Sequence, residues 1–499
     1  MCGPRARVGS APVVRSFPPV PLSAVAAAAG AEVIGDVTAT VADMSLDSRD
    51  VPAGALFCCV PGAGVDGHGY AAEAVAHGAV ALLAERRLDV DVPQLLVPSV
   101  RRSMGPVAAE VFGRPAEAMT VVGVTGTNGK TTITYLLEGI FRHAGLRPGV
   151  IGTTGARVDG EAVALAHTTP EAPELHRLLA RMRDAGIRGV AMEVSSHALA
   201  QDRVGGLVVD VAVFTNLSQD HLDFHGSIDD YFDAKALLFT PERARRGVIN
   251  ADDPWGRRLA DRATIPVVTT GVEVAADVVG ADVVADEAGL AFTVDGVEVR
   301  TPLLGRFNVA NALGAIVAAR EAGVDLGTAA DALSTVSGVP GRMEPIAAGQ
   351  GFLVMVDYAH TPDSILGVLR AARPLTTGRV IIVFGCGGDR DRAKRPEMGR
   401  TATTHADLTI LTNDNPRAED PLAILASVEE GARDGGGPYI VEPDRRQAIR
   451  RALVEARLGD AVVIAGKGHE PHQEIAGERI PFDDRVVVRE ELAALGARS

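Results

Sequence analysis

Residues 119–132, MTVVGVTGTNGKTT, join an apolar run to a glycine-rich turn that ends in a lysine and two threonines. The β-branched run at 119–124 predicts a buried parallel strand, and residues 133–144 predict a helix. Glycines in such a turn let backbone N–H groups approach a polyphosphate, while Lys130 supplies charge for its phosphates and the Thr131 hydroxyl can ligate Mg²⁺. We call residues 126–132 the phosphate turn.

The phosphate turn departs from the eight-residue P-loop pattern. That pattern requires glycine at position 124, where this chain has valine, and the spacing here is GTNGKTT from 126 to 132. The turn by itself therefore predicts nucleotide binding but no particular reaction.

The composition limits the protein class and its partners. The chain has 499 residues, 46% of them hydrophobic, which is enough for about three domains with buried cores. Its 49 basic and 64 acidic residues give a net charge of −15. With no excess of cations to neutralise phosphates, a duplex nucleic acid is an unfavourable partner. An anionic substrate must be met by local positive charge.

Cysteine usage and hydropathy favour a cytoplasmic protein without a membrane partner. Cys2, Cys58, Cys59 and Cys386 lack zinc-ligand spacing and a disulfide framework, and Cys386 fits a small residue ending a strand better than a nucleophile. No apolar segment reaches the ~18 to 20 residues that span a bilayer. The first 31 residues contain three arginines and no acid, and a loosely packed extension is favoured over an organelle transit peptide.

Alternating strand and helix patterns predict an α/β fold of three domains. We expect a tail and a small mixed α/β domain in residues 1–117 and a central P-loop-type, nucleotide-binding domain with a parallel sheet in 118–338. A Rossmann-like, doubly wound domain in 339–499 follows the glycines and proline of GVPGR, residues 338–342, which predict a hinge. Ligands of such sheets bind at the C-terminal ends of the strands.

Polar residues follow the predicted strands of the central domain. One predicted strand, 189–196, ends in Glu193 and two serines, and the next is followed by Asn216, Asp220 and His221. Carboxylates and imidazoles at neighbouring strand ends suit Mg²⁺ with its water shell. Lys235 lies in a predicted helix, YFDAKALLF, where a surface lysine packing its stem on apolar neighbours is an equally good interpretation.

Four polar motifs follow predicted strands of the C-terminal domain: DYAH at 357–360, GCGGDRDRAKRP at 385–396, NDNPR at 413–417 and GKGHE at 466–470. Together they predict one binding face at the edge of a sheet. In the N-terminal domain, composition favours ordinary turns for DSR at 47–49 and GAGVDGH at 62–68.

The series GTNGKTT, MEVSSH, NLSQDHLDFH, FNVANALGA, DYAHTPDS, GCGGDRDRAKRP, DNPR and GKGHE occurs in this order, together with the helix that carries Lys235. Over about residues 40–480 it resembles the Mur ligases, and more narrowly the members that add the third residue of the peptidoglycan stem peptide. The first 20 to 25 residues look like an extra tail beside the family pattern.

The resemblance implies an ATP-dependent amide ligase with Mg²⁺ as cofactor. ATP would phosphorylate the γ-carboxylate of D-glutamate in UDP-N-acetylmuramoyl-L-alanyl-D-glutamate, and an amine of the incoming amino acid would displace phosphate. A carboxylate is a poor electrophile and an acyl phosphate is a good one, so positioning and charge neutralisation should dominate catalysis. We expect a monomer that binds these small molecules.

The resemblance also assigns the nucleotide and metal residues. Lys130, Glu193, His221 and Lys235 would be catalytic, with Lys235 carbamylated (N6-carboxylysine). The metal would be held by Thr131, Glu193, His221 and the Lys235 carbamate. ATP would be bound by Gly126, Thr127, Asn128, Gly129, Lys130, Thr131, Thr132, Asn308, Asn311, Arg342 and Asp357.

For the other substrates, the resemblance replaces the turn interpretation of residues 47–49. Leu46 and Ser48 would hold the uridine end, and Thr168, Thr169, Ser195, Gln201 and Arg203 the muramoyl-dipeptide. The incoming amino acid would be held by Arg390, Asp414, Asn415, Pro416, Arg417, Gly466 and Glu470.

DNPR looks like the family's diaminopimelate motif, and its chemistry supports that choice over L-lysine. Diaminopimelate carries a distal carboxylate that lysine lacks, and the Arg417 guanidinium can pair with it in bidentate fashion. The meso and LL isomers stay undistinguished.

Two other functions share part of this residue pattern. A folate-type glutamate ligase would share the phosphate turn and Lys235 but should lack DNPR and DSR. A nucleotide-dependent switch would need a phosphate turn and moving loops, but not the second pocket that Glu193, His221 and Lys235 suggest.

Overall fold

A computed structural model describes residues 17–62, 64–158 and 161–496. The described residues fall into two compact units: up to Ala118 with Pro170–Asp184 and Gln201–Leu207, and Met119–Thr169 with Ala185–Ala200 and the chain from Val208 onward. Residues 1–16 of the predicted N-terminal extension, including Cys2, are outside the described ranges. From Val20 onward the prediction of a loosely packed extension is wrong, because residues 22–29 form a helix that buries Leu22 and Val25.

The N-terminal part is built on a five-stranded sheet of order β2-β7-β6-β5-β4, in which only the β2–β7 pair is antiparallel. Its core is apolar and includes Leu56, Leu83 and Met104. Its elements are β1 (Val20–Pro21), α1 (Leu22–Ala29), β2 (Glu32–Ile34), β3 (Thr40–Val41), β4 (Asp43–Ser45), β5 (Ala55–Cys58), α2 (Ala71–Ala76), β6 (Ala81–Ala84), β7 (Gln94–Leu96) and α3 (Val100–Val111).

The central part carries an eleven-stranded sheet of order β11-β10-β9-β12-β8-β13-β14-β15-β16-β17-β18. Strands β9 to β16 in that order run parallel, and antiparallel strands complete both edges. The strands are β8 (Thr120–Thr125), β9 (Pro148–Gly152), β10 (Gly155–Val158), β11 (Glu161–Val163), β12 (Gly189–Glu193), β13 (Val209–Phe214), β14 (Ala244–Asn250), β15 (Val267–Gly271), β16 (Val278–Asp286), β17 (Gly289–Val294) and β18 (Val297–Thr301).

The helices of this part are α4 (Lys130–His143), α5 (Ala172–Asp184), α6 (Ser196–Ala200), α7 (Leu222–His225), α8 (Ile228–Ala236), α9 (Pro254–Arg262), α10 (Phe307–Glu321) and α11 (Leu326–Ser334). Of these, α5 belongs to the first compact unit. Helices α4 and α10 bury Leu136, Ile140 and Ile316 in the core beside the central strands. The apolar residues of α4 recur at helical spacing, whereas α10 is buried on all sides over residues 311–319.

The C-terminal part has a six-stranded sheet of order β19-β20-β24-β21-β22-β23, parallel except for the β19–β20 pair. A separate hairpin is formed by β25 and β26. The elements are β19 (Glu344–Pro345), β20 (Leu353–Val356), α12 (Pro362–Ala372), β21 (Val380–Phe384), α13 (Lys394–His405), β22 (Leu408–Leu411), α14 (Pro421–Gly435), β23 (Tyr439–Val441), α15 (Arg445–Glu455), β24 (Ala461–Ile464), β25 (His472–Ile475), β26 (Glu478–Pro481) and α16 (Asp484–Gly496).

The predicted fold class is confirmed, including the shared edge of the C-terminal sheet. DYAH, GCGGDRDRAKRP, NDNPR and GKGHE follow β20, β21, β22 and β24, and parallel strands end at the same edge. The strand predicted over 189–196 is wrong at its end: β12 stops at Glu193, because the Ser195 hydroxyl accepts a hydrogen bond from Ala198 N and so caps α6. Within the described ranges no helix is long and apolar enough to cross a bilayer.

Candidate active site

The phosphate turn connects β8 to α4, and two of its glycines have backbone conformations that favour glycine. Gly126 has φ 144° and Gly129 has φ 87°. A Cβ at Gly126 would lie 1.8 Å from Thr215 Oγ1, and one at Gly129 would lie 2.4 Å from Asn311 Oδ1. The turn is therefore packed too closely for any larger side chain at these positions.

Two lysines meet at one carbonyl of this turn. Lys130 Nζ donates to Gly126 O at 2.9 Å and Thr127 O at 2.8 Å, and Lys235 Nζ donates to Gly126 O at 2.8 Å. Lys235 is 1% exposed, and its ammonium lies over the Tyr231 ring, so the surface interpretation of Lys235 is wrong. Burial, and then the Lys130 charge, hold the pKa of Lys235 well below its ordinary value.

Glu193 ends β12 beside the first turn of α4. Its Oε1 accepts from Thr131 Oγ1 at 2.9 Å and from Thr153 N at 2.9 Å, and its Oε2 accepts from Thr153 Oγ1 at 3.0 Å. The structure thus brings together Thr131 and Glu193, two members of the predicted metal set. A hydroxyl and a carboxylate are the hard oxygen ligands that Mg²⁺ prefers.

The other two predicted metal residues have different neighbours. His221 has a left-handed backbone, and its Nε2 lies 3.5 Å from Asp220 Oδ2. Burial lowers the pKa of His221 to about 3, so the imidazole is neutral and can ligate a metal. Within residues 17–62, 64–158 and 161–496, no three His, Cys, Asp or Glu side chains gather into a metal cage.

A cavity of about 920 Å³ extends from the phosphate turn into the C-terminal part. Seven predicted ATP residues line it: Asn128, Gly129, Thr132, Asn308, Asn311, Arg342 and Asp357. The four others, Gly126, Thr127, Lys130 and Thr131, belong to the same turn. This volume is within the range of small-molecule sites.

Arg342 and the first residues of α10 lie beside the phosphate turn. Arg342 Nη2 donates to Thr131 Oγ1 at 3.1 Å, and its guanidinium lies over the Tyr358 ring. Asn311 Nδ2 donates to Asn308 Oδ1 at 2.8 Å, which orders both amides beside Gly129. Asp357 accepts from two backbone N–H groups, and burial raises its pKa.

Four predicted substrate residues belong to the first compact unit. Leu46 is 36% exposed, whereas Ser48 is buried and donates to Glu73 Oε2 at 2.6 Å. Arg203 donates to Gln201 Oε1 at 3.0 and 2.6 Å. Around Ser48, Asp47 and Arg49 also make the turn contacts that composition predicted, a backbone hydrogen bond and an ion pair.

Three predicted substrate residues belong to the second unit, next to Glu193. Thr169 Oγ1 donates to Glu193 O at 2.9 Å and accepts from Ser195 N at 3.0 Å. Thr168 Oγ1 lies 3.4 Å from Thr153 Oγ1, the hydroxyl that binds Glu193. Thr168, Thr169 and Ser195 are therefore joined to the Glu193 end of β12.

The predicted amino-acid residues meet at the edge where β21, β22 and β24 end. Asn415 Nδ2 donates to Glu470 Oε2 at 2.7 Å, and a Cβ at Gly466 would lie 2.5 Å from Asp414 Oδ2. Arg417 Nη1 donates to Gly388 O at 2.6 Å. Pro416 is buried between these residues, and Arg390 is exposed on the loop after β21.

Gly387 lies beside the side chains of Arg417 and Arg390 at this edge. A Cβ there would lie 2.9 Å from Arg417 Nη1 and 3.9 Å from Arg390 Cγ. The edge therefore offers the Arg417 guanidinium, the side chain of Arg390 on the neighbouring loop and, at Asp414 Oδ2, a buried acceptor without a hydrogen-bond partner among the described residues. Such a set suits a zwitterionic amino acid with a second carboxylate.

Sequence reasoning named Asp220 only as a polar residue after a strand and assigned no role to the charged residues around it. Asp220 is buried and is approached by Lys394 Nζ at 3.2 Å and by His360 Nε2 at 3.6 Å. Lys394, His360 and Lys467 stand inside the strand-end motifs, so their position was a usable signal. Arg445 stands among several arginines of α15, and nothing in the sequence distinguishes it.

Comparisons with known proteins identify the family of this chain. The Mur ligase family, catalytic domain model matches residues 40–113, the Mur ligase middle domain model matches 124–319, and the Mur ligase, glutamate ligase domain model matches 341–468. The UDP-N-acetylmuramoyl-L-alanyl-D-glutamate--2,6-diaminopimelate ligase of Streptomyces coelicolor is 47% identical over 497 residues, covering 95% of this chain and 97% of that enzyme. The enzyme of the same name from Geobacillus thermodenitrificans is 46% identical, over 89% and 94% of the two chains.

A solved structure of a UDP-N-acetylmuramoyl-L-alanyl-D-glutamate--2,6-diaminopimelate ligase gives the same result. It superposes with a TM-score of 0.68 at 37% sequence identity, over 93% of this chain and 97% of that one. Fold, motif order and sequence identity along nearly the whole length agree. The chain therefore belongs to the Mur ligase family.

Proposed function

We propose that this protein is the ATP-dependent ligase that adds diaminopimelate to the D-glutamate γ-carboxylate of UDP-N-acetylmuramoyl-L-alanyl-D-glutamate, in peptidoglycan biosynthesis. One observation carries the proposal: Arg342, from the C-terminal part, donates to Thr131 of the phosphate turn at 3.1 Å. The nucleotide cavity is thus lined by the central part and by residues next to the amino-acid edge. A ligase that uses both substrates in turn needs this arrangement.

The reaction has two balanced steps. A γ-carboxylate oxygen attacks the terminal phosphorus of ATP, so that an acyl phosphate forms and ADP leaves. The amine nitrogen of diaminopimelate then attacks the acyl carbon, an amide bond forms, and phosphate leaves as the amine gives up a proton. Lys130 balances charge on the phosphoryl group in the first step, and Arg342 aligns the phosphates.

Mg²⁺ fits the donors beside the turn. Thr131 and Glu193 would hold one ion, with His221 and a carbamylated Lys235 beside a second, and the bound metal would neutralise phosphate charge. The supporting observation is that two oxygen atoms able to ligate Mg²⁺, Thr131 Oγ1 and Glu193 Oε1, lie 2.9 Å apart at the start of α4. Binding by few protein ligands is usual for Mg²⁺, which keeps several waters.

Lys235 has the properties of a lysine that reacts with carbon dioxide. Its lowered pKa favours the neutral amine, whose nitrogen can attack the carbon of CO₂. An N–C bond forms, the amine loses a proton to solvent, and a carbamate anion replaces the neutral amine. The carbamate would then lie beside the Lys130 ammonium at Gly126 O, a pairing of opposite charges that stabilises both groups.

Substrate selection is assigned to the residues that the resemblance indicates. Leu46, Ser48, Gln201 and Arg203 would bind the UDP-linked substrate together with Thr168, Thr169 and Ser195. Arg390 and Arg417 would face the distal carboxylate of diaminopimelate, with Asp414, Asn415, Pro416, Gly466 and Glu470 around the rest. The Arg417 guanidinium beside Gly387 supports this choice, since lysine has no carboxylate to pair with it.

We also propose a cytoplasmic enzyme, because its substrates are a nucleotide and a UDP-linked precursor and because Cys58, Cys59 and Cys386 are free thiols. The monomeric state stays a prediction, which analytical ultracentrifugation tests. The domain boundaries at 117/118 and 338/339 are likewise a proposal, which limited proteolysis tests.

The test is phosphate release from ATP with the UDP-linked dipeptide and, in parallel, meso-diaminopimelate, LL-diaminopimelate, L-lysine or no amino acid. We expect release only with a diaminopimelate isomer, and the arm that responds assigns the stereochemistry. ATP binding without release in any arm would contradict the proposal and favour a folate-type ligase or a nucleotide switch.

A further inference from the structure

Lys467, in the loop after β24, is completely buried and has no assigned role. Its side chain is 0% exposed. Nζ contacts Asn415 Oδ1 at 3.2 Å, Glu470 Oε2 at 3.0 Å and His472 O at 2.6 Å. An ammonium has three N–H donors, and here each has an acceptor. Lys467 thus has no donor left for a substrate and can act only through its partners.

The partners of Lys467 form a closed set. Asn415 Nδ2 donates to Glu470 Oε2 at 2.7 Å, and Asn415 Oδ1 also accepts from Glu474 N at 3.0 Å. The amide of Asn415 therefore has one orientation, with oxygen toward Lys467 and nitrogen toward Glu470. Lys467 joins the loop after β22 to the loop after β24, the two loops that carry most of the amino-acid residues.

The same contacts decide which acceptor remains available on Glu470. Both described side-chain donors reach Oε2, and none among the described residues reaches Oε1. Burial alone would raise the pKa of Glu470, but Lys467 and Asn415 hold it below its ordinary value, so the group is an anion. Asp414 Oδ2, beside Gly466, is a second acceptor without a described partner.

Composition gives an independent reason to single out this lysine. Only four of the 49 basic residues are lysine: Lys130, Lys235, Lys394 and Lys467. Lys130 and Lys235 contact the phosphate turn, and Lys394 contacts buried Asp220. In a chain that otherwise uses arginine, the other three lysines thus lie at the phosphate turn or against a buried carboxylate beside the predicted site.

We propose that Lys467 is a positioning residue of the amino-acid site, which fixes Asn415 and Glu470 so that Glu470 Oε1 and Asp414 Oδ2 accept an ammonium group of the incoming amino acid. The inference rests on the proposed function. The distal end of the incoming amino acid is then recognised in two ways. Lys467 supports binding of the ammonium group, which diaminopimelate and lysine both have. Arg417 binds the carboxylate, which only diaminopimelate has.

The experiment is a double-mutant cycle of Lys467→Met and Glu470→Gln, with KM for diaminopimelate and for ATP measured on the four proteins. We expect Lys467→Met to raise KM for diaminopimelate about tenfold or more and to change KM for ATP by less than about twofold. In the Glu470→Gln background the same substitution should change KM for diaminopimelate by less than about threefold, because its partner is already gone. The proposal would be overturned if the effects of the two substitutions on KM for diaminopimelate multiplied in the double variant. It would also be overturned if Lys467→Met changed KM for diaminopimelate and KM for ATP equally.

Arg379→Met is the matched control. Arg379 pairs with Asp460 at 2.9 Å at the opposite edge of the same sheet, before β21 and β24. Its loss should lower the melting temperature and leave KM for diaminopimelate unchanged. If Lys467→Met does not fold, comparison of the charge-neutral double variant with Glu470→Gln decides instead: KM values for diaminopimelate within about threefold of each other support the proposal, and a larger difference overturns it.

Wild-type protein is assayed in the same series to separate the two levels of inference. Absence of diaminopimelate-dependent phosphate release from the wild type would overturn the proposed function and this inference with it. Normal wild-type release with a Lys467→Met variant of unchanged KM would overturn the role of Lys467 alone. With folded Lys467→Met, the preference for diaminopimelate over L-lysine should stay as in the wild type.

Discussion

The nucleotide end and the amino-acid end of the site differ in how their buried lysine and arginine side chains are paired. Lys130 and Lys235 donate only to backbone carbonyls in the described structure, and both reach Gly126 O. Lys467 and Arg445 are paired with the carboxylates of Glu470 and Asp484. The nucleotide end thus holds two lysines without a hydrogen-bonded carboxylate among the described residues, and the amino-acid end pairs its buried cations with carboxylates.

The difference follows from what each end must bind. Uncompensated ammonium groups are costly in a protein interior, and phosphates or a carbamate would remove that cost by binding. A neutralised end instead keeps its acceptors and donors in fixed positions and selects by geometry. We infer that charge drives binding at the phosphate turn and that position decides specificity at the strand ends.

Loss of Lys235 should have the largest effect. Lys235→Met should reduce ligation on the order of 10³-fold, because the carbamate and its support for the metal are removed. Phosphate release under saturating substrates measures this. In ¹³C-bicarbonate, the wild type should show a carbamate resonance by ¹³C NMR that the variant lacks. Full activity of Lys235→Met, with or without bicarbonate, would show that the nucleotide end needs no anion there.

Arg445 tests the neutralised end through stability. Its guanidinium donates to Asp484 at 2.8 and 2.7 Å, to Ala465 O at 2.9 Å and to Asn413 O at 3.3 Å. Arg445→Met should lower the free energy of unfolding by about 3–5 kcal/mol, since Asp484 is left as an unpaired buried charge. Urea denaturation measures it. The double variant Arg445→Met with Asp484→Leu should recover most of the loss, and failure to recover would mean that the carbonyl contacts dominate.

Arg417 tests the basis of selection. Arg417→Ala should raise KM for diaminopimelate by a factor equivalent to about 2–4 kcal/mol and leave KM for ATP nearly unchanged. Arg392→Ala is the control, because Arg392 is 73% exposed in its ion pair with Glu419 and should contribute little. Steady-state kinetics on both variants suffice. Equal rises in KM for diaminopimelate and KM for ATP in Arg417→Ala would contradict the claim that Arg417 acts on amino-acid selection alone.

Much of this architecture could be predicted from the sequence. Apolar runs and glycine-rich turns located most strands and placed four motifs at one edge of the C-terminal sheet, because strand periodicity and parallel topology are local and regular. The start of α4 at Lys130, rather than after the turn, was less visible, since Gly129 permits the turn to lead directly into the helix.

The contacts between distant segments could not be predicted. Lys235 reaches Gly126 O across 109 residues, and Arg342 reaches Thr131 across 211, so both depend on the packed fold. Arg445 is one of several arginines in α15, and only tertiary structure shows that it is the buried one. The roles of the motif residues came from family resemblance, not from their spacing.

The most direct test of the proposed mechanism traces the carboxylate oxygen of D-glutamate through the reaction. The D-glutamate γ-carboxylate of the UDP-linked dipeptide is labelled with ¹⁸O, and the phosphate released with diaminopimelate and ATP is examined by mass spectrometry. We predict that one ¹⁸O atom appears in each phosphate, because the carboxylate oxygen becomes the bridge of the acyl phosphate and leaves with it. Unlabelled phosphate would mean that water attacks ATP, and would contradict the assignment of the phosphate turn to carboxylate activation.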